Sequence, residues 1–181
     1  MTEQAVDTET DVKEKNPHLD EVGDQYLTFN LAGEDYGIDI LRVQEIRGWD
    51  DATRLPNAPD YVKGVVNIRG TIVPVYDLRQ KFNLEFKDYD QNTVVIVIKV
   101  ASKGNYKSVG IVVDGVSDVL HGAHIEITQS PDFGAEMITD AISGLATFDR
   151  KMVVLIDVDR LLVDSEEASN EDSVAEEGAE E

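Results

Sequence analysis

Apolar positions in this chain fall in short, β-branched runs broken by Gly, Asn and Asp, without the three-to-four spacing of a long helix. YLTFNL (Tyr26 to Leu31) alternates, Gly33 to Asp35 turns the chain, and YGIDIL follows as its partner. RVQEIRG (Arg42 to Gly48) comes next, with Val43, Glu45 and Arg47 on one face of a strand and Gln44 and Ile46 on the other. A loop with two prolines, ATRLPNAPDY, leads to GVVNIRGTIVPVYDLR (Gly64 to Arg79), two apolar runs hinged near Arg69 and Gly70. Asp77 is placed to cap one helical turn over DLRQKF. Beyond a polar break at Lys87 to Asn92 lies a long hairpin, TVVIVIKV and SVGIVVDGV, joined by ASKGNYK. The last run, KMVVLI, hands over to DVDRLLVD, where Asp157 can start a short C-terminal helix.

These runs predict a mainly all-β fold: two small barrels sharing a core, with a boundary near Lys87 and only short helical turns before Val158. At 181 residues and 41% apolar, the chain has material for such a core. Charge refines the domain limits. Residues 1–24 carry eight acidic and two basic residues, and residues 165–181 carry eight acidic and none basic, so two thirds of the net charge of −21 lies outside 25–164. Low hydrophobicity and like charge predict that both tails are disordered.

No cluster of Lys and Arg is present to neutralise phosphates, which argues against nucleic-acid and membrane-surface binding. The absence of cysteine removes disulfides, thiolate chemistry and Cys-based zinc sites. The N-terminal residues have no basic flank and no apolar h-region, and no apolar run approaches a membrane span, so a cytoplasmic location is expected.

Three constellations are candidates for chemistry. His121 and His124, three apart in HGAH, could share a metal on a helix, but the strand context and Gly122 favour a solvated loop. Asp157 and Asp159 could hold a divalent cation in a barrel-fold enzyme, yet a helix start accounts for both. Asp114 and Asp118 could act as acid and base, but Asp114-Gly115 is a turn signal and no partner completes a catalytic set. No phosphate-cradling loop or nucleophile elbow occurs. The reading is therefore of a non-enzyme without metal or cofactor.

What remains is apolar. Val43, Val65, Ile68, Val94, Val109, Val112 and Val116 exceed what obvious inner faces hold, and an exposed apolar strip rimmed by charge is what a partner site looks like. A type II′ turn at Gly70-Thr71 would put Arg69 at the hairpin shoulder, with Glu45 as a cross-strand partner. Pro74 cannot donate to a ladder, which suggests an edge or a bulge there.

YGIDILRVQEIRG, GVVNIRGTIVPVYDLR and VGIVVDGVSDVL resemble, in order and separation, the three signature segments of the bacterial chemotaxis coupling proteins, the CheW family. The resemblance runs from about Gln25 to Asp164. The regulatory domain of the kinase CheA and the coupling half of CheV share this fold, but the chain has no room for a kinase module or a receiver domain. The resemblance implies two intertwined five-stranded SH3-like barrels and an adaptor, monomeric when free. One surface would bind the cytoplasmic tip of a methyl-accepting chemotaxis receptor and others the regulatory domain of CheA, recruiting the protein to membrane-associated receptor arrays. An adaptor for only one of these partners is the alternative. Carried over by position, it implies contacts at Gly64, Asn67 and Arg69, joined by Val43 and Glu45. Val94, Val109, Gly110 and Val116 would line a groove, and Ile127, Pro131 and Phe133 would meet the kinase. Thr128 stands where relatives often carry a basic residue.

Overall fold

The computed structural model describes residues 25–102, 104–122, 125–128 and 138–162. The tails and Pro131, Phe133 and His124 lie outside the described residues. Eleven strands form two sheets among the described residues. The chain begins with β1 (Gln25–Leu31) and β2 (Glu34–Asp39), then a 3-10 turn (Ile40–Arg42). It next builds β3 (Val43–Gly48), β4 (Val62–Ile68) and β5 (Thr71–Asp77), followed by α1 (Leu78–Lys81), β6 (Val94–Ser102) and β7 (Asn105–Val113). β8 (Gly115–His121), β9 (Glu126–Thr128), α2 (Ile138–Ala141), β10 (Ile142–Phe148), β11 (Lys151–Ile156) and α3 (Val158–Leu162) complete it.

β3 to β7 form one five-stranded sheet, in the order β3-β6-β7-β5-β4. The chain on both sides of it supplies the other, in the order β8-β1-β2-β11-β10-β9. The mainly β architecture is the one the short runs predict; where two five-stranded barrels were expected, the strands pair as one five-stranded and one six-stranded sheet. A cut at Lys87 does not separate the strands, because β6 and β7 pair with strands from before it. A β-branched run identifies a strand but carries no address for its neighbour.

Alternation along β6 explains the two-sided core. Val95 and Val97 join Val73, Val75 and Val112 on one face of the five-stranded sheet. Ile96, Ile98 and Val100 face the other way, onto Leu27, Phe29, Leu31 and Ile38 of the six-stranded sheet and Leu161 and Leu162 of α3. A third cluster, Leu120, Ala146, Val153 and Leu155, belongs to the six-stranded sheet alone. Each fully buried Leu, Ile or Phe contributes about 1.5–3 kcal/mol, so the shared core holds the sheets together.

Several local expectations change. The β6–β7 hairpin pairs as far as Ser102 and Asn105, so most of ASKGNYK is strand. The β1–β2 turn is Ala32-Gly33, both at positive φ, one residue earlier than expected. β5 is an interior strand, and Pro74 is accommodated because the parallel pairing with β7 begins only at Val75. Asp77 caps α1 as expected, accepting from the Gln80 N–H at 3.2 Å.

Candidate functional site

The loop between β4 and β5 is Arg69-Gly70, with φ +52° and +86°, and Ile68 stands opposite Thr71. Two consecutive positive φ values make this a type I′ turn, not a II′ turn at Gly70-Thr71, so Arg69 occupies the turn itself. Asn67 fixes the turn: its Oδ1 accepts from the Gly70 N–H at 2.8 Å. The Arg69 side chain is 85% exposed and its Nη2 lies 3.1 Å from Glu45 Oε2, whose side chain is 28% exposed.

Glu45 sits on β3 and Arg69 at the end of β4, the two outer strands of the five-stranded sheet. The sheet's ends also meet through a bridge between Thr53 and Val65, with N–H···O distances of 2.9 Å in both directions. Gly64 makes that approach possible, since a Cβ there would stand 2.1 Å from the Thr53 carbonyl oxygen. The Glu45–Arg69 pair therefore spans the same seam that the Thr53–Val65 bridge spans with backbone.

Arg69 and Glu45 rim an open cleft whose walls include Gln44, Ile68, Thr71, Val73, Val97 and Ser108. Ser108 Oγ and Gln44 Oε1, 2.6 Å apart, join its two sides. Of these six, Ile68 alone belongs to the apolar strip expected from the sequence; Ser108 and Gln44 are brought together only by the pairing of β3 and β7 with β6. Ile46 and Ile72, both exposed, were recognisable as apolar residues on outward strand faces.

The remaining candidates separate. Val43 is half-buried against the shared core. Val94 and Val116 are half-exposed on that core; Val94 lies opposite Val113, three residues before Val116. Val109 is fully buried, and a Cβ at Gly110 would stand 3.0 Å from the Val95 side chain, so both occupy packing positions in this structure. Gly64 is buried too, and its role is the seam. Ile127 is 47% exposed on β9, in the six-stranded sheet and away from the cleft.

The acidic pairs are engaged by protein groups. Asp157 caps α3, accepting from the N–H groups of Asp159 at 2.9 Å and Arg160 at 3.3 Å. Asp159 pairs with Arg42 and accepts from the Ala101 N–H at 2.7 Å. Asp114 lies at the bend between β7 and β8, held in bidentate fashion by Arg79 Nε and Nη2 at 2.7 Å each, and it also accepts from the Ala32 N–H at 2.8 Å. Burial raises the Asp114 pKa, but the Arg79 and Ala32 hydrogen bonds outweigh it and hold the carboxyl below its ordinary range. Asp118 stands apart, its carboxylate accepting from the Val119 N–H.

A CheW-like domain matches residues 25–166. The chain is 49% identical over 154 residues to the chemotaxis protein CheW of Klebsiella aerogenes, spanning 85% of this chain and 90% of that one. It is 31% identical over 144 residues to the chemotaxis protein CheW of Bacillus subtilis, spanning 77% and 87%. In three dimensions it is similar to the scaffolding protein TtCheW of Thermoanaerobacter tengcongensis, with a TM-score of 0.68 and 28% identity over 78% of this chain and 93% of that one. A domain match over most of the chain, close relatives and a shared fold together place this chain in the CheW family of chemotaxis scaffolding proteins.

Proposed function

We propose that this scaffold couples methyl-accepting chemoreceptors to the histidine kinase CheA by non-covalent binding to both. The observation that carries the reading is the Arg69–Glu45 pair: an arginine side chain, 85% exposed at the tip of a turn, beside a cleft that the partly exposed Ile68 helps to line. In this reading Ile68 supplies apolar contact, and a charged rim sets the register of an incoming helical tip. No helix among the described residues is long and apolar enough to cross a membrane, and in this reading the chain reaches receptor arrays by binding. Nothing in this role makes or breaks a covalent bond.

Co-sedimentation of the full chain with a receptor cytoplasmic fragment and the kinase, singly and together, tests the proposal. Arg69→Glu is expected to unfold cooperatively yet weaken kinase recruitment by about 2 kcal/mol or more, the loss typical of an interface anchor. Normal coupling by that variant removes Arg69 from the interface. The same assay separates an adaptor that engages only one of the two partners.

A further inference from the structure

Beyond the end of β3 lies a second surface. Trp49 and Tyr89 pack ring to ring with centroids 4.4 Å apart and planes tilted by 52°, and Phe86 stands 6.2 Å from Tyr89. Hydrogen bonds hold two of the three in place. The Trp49 main-chain N–H donates to the Thr93 carbonyl at 3.0 Å, and the Tyr89 hydroxyl donates to the buried Asp77 carboxylate at 2.5 Å. Phe86 is left 55% exposed. Trp49 lies four positions beyond Glu45, roughly 13 Å along an extended chain, so this surface is distinct from the Arg69 cleft.

We propose that Trp49, Phe86 and Tyr89 form a docking site for an arginine-bearing segment of a protein partner. Aromatic faces attract a cation within about 6 Å of the ring centroid, and a planar guanidinium also stacks on them. The chain satisfies other rings itself, with Arg42 5.6 Å from the Tyr106 centroid and Lys81 4.8 Å from that of Tyr61. Among the described residues no cation of the chain stands over these three rings. Charge matches the same ligand. Asp50 and Asp51 follow Trp49 directly, Glu85 and Asp88 flank Phe86 and Tyr89, and all four are exposed. The nearby Lys87 is already neutralised by Asp90 at 3.0 Å. Such a rim repels phosphates and anionic lipid while it favours a basic segment.

Trp49 is the only tryptophan, so its emission reports on the site directly. The full chain is titrated with a tetra-arginine peptide, with tetraglutamate as control. A saturable change in emission with tetra-arginine alone is expected, weakened at least fivefold in Phe86→Ala and in Phe86→Leu, which keeps apolar bulk but removes the ring face. Asp88→Asn is expected to weaken it as well, with all three variants melting as the parent does. The proposal is overturned if tetra-arginine does not bind, if it binds without changing Trp49 emission, or if both Phe86 variants bind as tightly as the parent, since acidic surface elsewhere would then be the receptor.

Discussion

Arg69 holds a backbone conformation that favours glycine or asparagine, at a cost of about 1 kcal/mol for a residue with a Cβ. Its exposed ion pair with Glu45 returns under about 1 kcal/mol, so the two terms offset and stability gives no reason for an arginine here. Arg69→Asn is therefore expected to leave the unfolding free energy within about 1 kcal/mol of the parent, or to raise it, while kinase recruitment falls. Chemical denaturation alongside co-sedimentation checks both halves. Gly64 behaves in the opposite way. At φ +131°, with the Thr53 carbonyl oxygen 2.1 Å from any added Cβ, Gly64→Ala is expected to destabilise by about 3 kcal/mol and open the Thr53–Val65 bridge. A coupling defect in that variant would then track unfolding, readable as a lower denaturation midpoint. Two residues that the family resemblance assigns one role are divided by the fold into an exposed side chain and a buried support.

Among the elements, the junction of β7 and β8 is where the chain leaves the five-stranded sheet, and Asp114 joins three segments there. Arg79 brings in α1, and through its Nη1 the Glu85 carbonyl at 2.6 Å; Ala32 brings in the β1–β2 turn. The paired side chains are only 14% and 15% exposed, so Asp114→Asn, which strands the guanidinium, is expected to cost about 2–3 kcal/mol at neutral pH. Because the native carboxyl is held low, its contribution is fully present above the unfolded pKa of about 3.9 and is lost as pH falls through the lower native value. The stability of the parent should drop across that acidic window, and the Asn variant should show a shallower drop. Asp114-Gly115 was legible as a turn, but its partner was not, because Arg79 lies 35 residues earlier and only the fold brings it near. The caps made by Asp77 and Asp157 were legible, since a cap bonds within its own few residues, whereas the Tyr89 hydroxyl on Asp77 was not.

For the whole molecule, the run VVIVI was readable as strand, and its lack of polar alternation has a physical cause: β6 is covered on both faces. Which strands neighbour which was not readable, since pairing depends on register and closure that a single run does not encode. The same limit applied to the cleft: Glu45 and Arg69 could be proposed as a pair, whereas Ser108 and Val97 could not be seen as its walls. An interface rimmed by exposed charge should respond to screening, so recruitment through Arg69 is expected to weaken as salt rises from about 0.05 to 0.5 M, with a shallower slope in Arg69→Asn. One arrangement bears on behaviour at high protein concentration. Beyond Ile98, β6 has no strand on the β3 side among the described residues, yet the Ala101 N–H is taken by Asp159 and the Lys99 carbonyl by Arg42 Nη1 at 3.4 Å. Side chains thus blunt one margin that would otherwise template a stranger's strand, and close that route by which concentrated copies would fuse into a continuous sheet.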